Sequence, residues 1–121
     1  MSARVSAAVV AVADQDVMIE FFVSALGFEV GTDAEMWPGA RWVDLTPAGG
    51  GTRVVLSAAA DFDREPDRRY PMILEAPDVA AEAARLRAAG LPVSDPTTEA
   101  WGTYVRVTDP EGRELMITER G

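Results

Sequence analysis

Neither cysteine nor histidine occurs anywhere in the 121 residues. The first absence excludes disulfides and thiolate chemistry, and the second removes the usual general base near neutral pH and the commonest metal ligand. Any metal ion would have to be held by oxygen alone. Long apolar runs are also missing: the stretch from Ala7 to Ala13 ends at Asp14 and Asp16, far short of the roughly 20 residues that cross a bilayer. Met1 to Arg4 carries one basic side chain, so no targeting signal is read and the expected location is the cytoplasm. Basic residues are scarce, 11 against 20 acidic ones, for a net charge of −9. That balance argues against nucleic acid or an anionic membrane as partner; it suits a cationic ligand or simply keeps the protein soluble.

What is present is an ordinary globular composition, 48% apolar and 26% charged, in a length that suits one domain or two small halves sharing a core. Val5 to Val12 has the length of a buried strand, and Asp14 is placed to cap a helix whose Met18, Phe22 and Leu26 recur at helical spacing until Gly27 stops it. Phe28 to Asp33 reads as a second strand, Ala34 to Gly39 as a loop holding Trp37, Arg41 to Thr46 as a third strand and Thr52 to Ser57 as a fourth. Ala60 to Arg69 is polar and without periodicity, a mobile linker. The order then repeats. Tyr70 to Ala76 reads as a strand, Asp78 opens a helix with Val79, Ala83 and Leu86 on one face, Gly90 ends it, Leu91 to Ser94 reads as a strand and Pro96 to Gly102 as a loop. Thr103 to Thr108 and Arg113 to Thr118 close the chain as a hairpin around Asp109, Pro110, Glu111 and Gly112. The expectation is an α+β fold of two βαβββ repeats, residues 1–59 and 70–121 joined by 60–69, forming a cup-shaped mixed sheet with helices on its outer face.

The helix ending FFVSALGFEV, the second helix DVAAEAARLRAAGLPV, and AWG followed by VTDPEG, taken together and in this order, resemble the vicinal oxygen chelate superfamily of glyoxalases, bleomycin resistance proteins and extradiol dioxygenases. In its metal-dependent members, side chains on strands one, four, five and eight converge on an ion. The resemblance puts those positions at Ala7, Val55, Pro71 and Met116. None is a donor for a divalent cation. The chain therefore resembles the metal-free, antibiotic-binding members, which implies no cofactor, no catalytic residue and a homodimer with ligand clefts at its interface.

Three tryptophans are the main resource for binding a planar ligand. Trp37 reads as a rim or gate; Trp42 and Trp101 are candidates for the cleft or equally for core or dimer contacts. Strand alternation places Trp42, Asp44 and Thr46 on one face, Tyr104 with Arg106, and Glu114 with Met116 and Thr118. Met116 suits a pocket or a plain core. Asp44, Glu75 and Glu114 are candidates to orient a ligand, to pair with Arg53 or Arg106, or to make surface ion pairs. Phe62 is a candidate lid. The expected ligand-binding set is Trp37, Trp42, Asp44, Arg53, Val55, Phe62, Trp101, Tyr104, Arg106, Glu114 and Met116.

The leading functional expectation is non-catalytic sequestration of an aromatic or polycyclic natural product, conferring resistance. The alternative is a metal-independent isomerase, lyase or cyclase with Asp44, Glu75 or Glu114 as general base. A partner-binding or sensory module is the third.

Overall fold

A computed structural model describes residues 2–120, so the outermost residue of each expected half lies outside it. Two compact units divide the chain, Met1–Pro71 and Met72–Gly121. Each is a βαβββ module with a four-stranded mixed sheet.

The first unit runs β1 (Ala7–Val12), α1 (Gln15–Glu20) continuing as a π-helical turn (Phe21–Ala25), β2 (Glu29–Trp37), β3 (Ala40–Thr46) and β4 (Arg53–Ala58). The sheet order is β1-β4-β3-β2, with β1 and β4 parallel and the other pairs antiparallel. Asp14 caps α1 by accepting from the Val17 amide at 3.1 Å, and Gly27, at φ 75, ends the helical segment. Alternation sorts the strands into two faces. Val10, Val12, Val43, Leu45 and Leu56 are fully buried, together with Met18 and Phe22 of the helical segment. Gln15 ties the start of α1 to the sheet, its Nε2 donating to the Leu56 carbonyl at 2.8 Å and the Arg41 carbonyl at 3.0 Å.

The second unit repeats the order: β5 (Leu74–Ala76), α2 (Val79–Ala88), β6 (Thr97–Glu99), β7 (Gly102–Thr108) and β8 (Glu114–Glu119), with sheet order β5-β8-β7-β6. Asp78 caps α2 through the Ala81 amide, and Val79, Ala83 and Leu86 are its buried face. Val105, Val107 and Leu115 are fully buried as well. The duplication expected from the sequence is the architecture found, and both units place the helix-preceding strand parallel to the last strand of its module.

Local readings differ in four places. Trp37 is not in a loop: β2 continues to it, pairing Trp37 with Ala40, and Pro38 with Gly39 (φ 87) forms the connection. A two-residue link leaves the flanking residues able to pair, which a longer loop would not. Leu91 to Ser94 is not a regular strand. Val93 makes one isolated bridge to Val107, and Pro92, with no N–H to give, breaks the ladder while the Ser94 hydroxyl accepts from the Arg106 amide at 2.8 Å. The regular strand beside β7 is Thr97–Glu99, inside the stretch read as a loop. Residues 70–73 precede β5 rather than belonging to it, so Pro71 is not on a strand. Finally, the stretch read as a mobile linker is tied down. A 3-10 turn covers Ala59–Phe62, Asp63 caps it in the left-handed region at φ 54, and Asp67 and Ala11 exchange two bonds, amide to carbonyl at 2.8 Å and amide to carboxylate at 2.9 Å.

Candidate functional site

In the first unit the sheet face opposite the buried one carries Ala7 and Val9 from β1, Arg53 and Val55 from β4, and Trp42, Asp44 and Thr46 from β3; the pairings Ala7 with Arg53, Val9 with Val55 and Asp44 with Val55 set them side by side. Asp44 is the centre of this group. It is 2% exposed, and its Oδ2 accepts from Trp42 Nε1 at 2.8 Å and from Arg53 Nη1 at 3.3 Å. A buried carboxylate is tolerable only when charge and lone pairs are answered, and the indole and guanidinium supply both. Trp42 is thereby fixed by its polar edge while its ring stays 40% exposed.

Gly31 makes the arrangement possible. It is the extra residue of a bulge in β2, between the pairs Val30–Leu45 and Thr32–Asp44. A Cβ built there would stand 2.5 Å from Asp44 Oδ1 and 3.2 Å from Thr46 Oγ1. The glycine serves close approach, a role that nothing in the sequence around it signals except its place inside a strand pattern.

Trp37 and Phe62 form an edge-to-face pair at 5.6 Å, both about half exposed. The expected gate and lid residues thus meet one another, on the end of β2 and on the 3-10 turn. Val55, at 3% exposure, is buried on the same face as Asp44.

In the second unit the pairs Tyr104–Thr118, Arg106–Met116 and Thr108–Glu114 put Tyr104, Arg106, Glu114 and Met116 on one face. Trp101 stacks on Tyr104 at 5.1 Å with an interplanar angle of 14°, and the Arg106 guanidinium lies 5.0 Å from the Tyr104 centroid. Trp101 is 60% exposed, so it is not a core residue of this chain. Among the described residues Glu75 makes no ion pair with Arg106. It bonds Arg120 at 3.4 Å on the surface, where such pairs contribute little. Glu114 makes no ion pair among the described residues.

A further cluster escaped the sequence reading. Arg113, with its side chain 3% exposed, bonds the fully buried Asp109 carboxylate at 2.9 Å and Glu111 at 2.7 Å across the β7–β8 turn. Burial works against the Arg113 cation, but its hydrogen bonds to Glu111 and Asp109 outweigh that and raise its pKa. Asp109 Oδ1 also accepts from the Glu111 and Arg113 amides. The available signal was an acid and an arginine four residues apart around a turn. This cluster holds the hairpin across its turn. Arg41 also makes several contacts, Nε and Nη2 to the two Asp33 oxygens at 3.0 and 2.7 Å and Nη1 to Asp16 at 3.0 Å.

No group of three or more acidic side chains is arranged to hold a metal ion among the described residues. Ala7 and Val55 of the resemblance-derived positions share the Asp44 face, and Met116 lies on the Arg106 face. Alkyl and thioether side chains do not fit a hard or borderline divalent cation.

The fold first defines a class, that of duplicated βαβββ proteins. Within it, the model of the Glyoxalase/Bleomycin resistance protein/Dioxygenase superfamily matches residues 4–117, and the chain belongs to that superfamily. It is similar to a superfamily member from Sphaerobacter thermophilus DSM 20745, with a TM-score of 0.89, 27% identity and 98% of each chain covered. It is also similar to TnmS3, an antibiotic binding protein from Streptomyces sp. CB03234, with a TM-score of 0.85, 28% identity, and 99% of this chain and 98% of that one covered. Among curated sequences it is 25% identical over 120 residues to the uncharacterized protein YetH of Bacillus subtilis (strain 168), covering 98% of this chain and 100% of that protein. No helix among the described residues is long and apolar enough to cross a membrane.

Proposed function

We propose that this protein binds a planar aromatic or polycyclic natural product and releases it chemically unchanged, protecting a cell by sequestration. The observation that carries the reading is the Trp42 side chain, open to a ligand yet held by its N–H to the buried Asp44. A ring already fixed loses little conformational freedom when a second ring stacks on it, and such stacking contributes about 0.5–1.5 kcal/mol beyond area burial. The stacked Trp101 and Tyr104 offer a second aromatic surface in the other unit. Similarity to an antibiotic binding protein over nearly the whole chain supports the same reading, as does the lack of donors at Ala7, Val55 and Met116, since the superfamily chemistry implied by the resemblance uses an ion as Lewis acid.

Fluorescence titration with planar natural products, with and without Trp42→Phe and Trp101→Phe, tests it. Quenching of the wild type, loss of part of it in each variant, and recovery of intact ligand by mass spectrometry are the expected results. A ligand recovered altered would instead establish turnover and return Asp44 and Glu114 as candidate bases.

A further inference from the structure

The chemistry of the ligand follows from what Asp44 leaves open on Arg53. All 11 basic residues of the chain are arginines. Arg53 gives Nη1 to Asp44 at 3.3 Å, and its Nε and Nη2 make no hydrogen bond among the described residues. The side chain is 43% exposed and stands on the same face as Trp42. Nε–H and Nη2–H point in parallel from one edge of a guanidinium, and that edge matches the two oxygens of a carboxylate.

The same chain shows the complete form of this arrangement. Arg41 gives Nη1 to one carboxylate, Asp16, and its Nε and Nη2 edge to both oxygens of another, Asp33. Arg53 has the first half and lacks the second. Asp44 fixes the guanidinium through Nη1, and the same carboxylate oxygen accepts from the Trp42 indole, so guanidinium and indole meet at one atom. In the second unit, Arg106 likewise makes no ion pair or side-chain hydrogen bond among the described residues, and its guanidinium lies over the ring of Tyr104, on which Trp101 stacks. In both units an arginine with open donors thus shares a sheet face with an aromatic side chain.

Resting on the binding function proposed above, we infer that the ligand is an aromatic acid, its ring on Trp42 and its carboxylate on the Nε and Nη2 edge of Arg53. The overall charge of −9 disfavours an anion at long range, and the selectivity rests on the two parallel hydrogen bonds of the guanidinium edge, which act at contact distance, well inside one Debye length of about 8 Å at physiological salt.

The test is calorimetric titration of the full chain with anthracene-2-carboxylate and with anthracene-2-carboxamide, which share the ring and differ in charge. The wild type is expected to bind the acid about tenfold more tightly, a step of 1.4 kcal/mol. Arg53→Lys keeps a cation beside Asp44 but has no paired edge; it is expected to lose most of the preference for the acid over the amide. Equal binding of acid and amide by the wild type overturns the inference and leaves the aromatic reading standing. A preference that survives in Arg53→Lys overturns the assignment to Arg53. Binding of neither probe, with no change in tryptophan emission, overturns the inference together with the aromatic site beneath it.

Discussion

Asp44 and Trp42 are two residues apart on one strand, and a 2.8 Å hydrogen bond between them joins a carboxylate that is 2% exposed to a ring that is 40% exposed. The buried group sets the pose of the open one. Asp44→Asn retains an acceptor for the indole but gives up the charge opposite Arg53, whereas Asp44→Ala removes both. Loss of these bonds is expected to lower stability by about 1–3 kcal/mol in the alanine variant and by less in the asparagine one. Urea denaturation checks the order, and ligand affinity should follow it, Asp44→Ala weakest.

Gly31 sets the space that Asp44 occupies. Gly31→Ala puts a methyl against Asp44 Oδ1, which Trp42 and Arg53 prevent from swinging freely. A cost of about 1–3 kcal/mol is expected from the overpacking. A shift in tryptophan emission should accompany it, because the displaced carboxylate drags the indole. Unchanged stability and emission would show that the bulge yields instead.

Removing the Arg113 side chain takes the cation away from the fully buried Asp109 carboxylate. Arg113→Met is expected to destabilise the fold by about 3–5 kcal/mol, as breaking a buried pair from one side does. The double variant Asp109→Asn, Arg113→Met should recover part of the loss. Denaturation midpoints of the single and double variants read the coupling.

The Asp33–Arg41 pair gives a pH dependence with a definite sign. The Arg41 hydrogen bond to the Asp33 carboxylate, more than their charge attraction, holds the Asp33 pKa below its ordinary value of 3.8 in spite of some desolvation. A depressed folded-state pKa means stability that is present above the unfolded value and lost as pH falls through the lower folded one. Thermal melts from pH 7 to pH 2 should therefore show wild type and Asp33→Asn converging as the solution becomes acidic. Both side chains are substantially exposed, so solvent screening keeps the separation at neutral pH small.

Much of this fold could be read from local pattern. Asp14 and Asp78 as caps and Gly27 and Gly90 as stops follow from backbone chemistry within a few residues. The Asp109–Gly112 turn, with Gly112 at φ 92, is equally local. The face shared by Trp42 and Asp44 follows from the two-residue period of a strand. Where reading failed, pairing decided. Trp37 belongs to a strand because Ala40 stands opposite, and Thr97–Glu99 does because β7 offers it a ladder. Apolar Leu91 to Ser94 was a better strand by composition, but Pro92 had no amide to give.

The sequence alone determined the duplicated order of elements, the caps and turns that bound them, and the residue types at each face, because these depend on interactions a few residues apart. Only the tertiary structure decided that Arg53 on β4 meets Asp44 on β3, that Gly31 on β2 makes room for them, and that Asp67 anchors to Ala11. Strand register and the depth of a bulge are set by cross-strand hydrogen bonds between distant segments, and no window of neighbouring residues contains both partners.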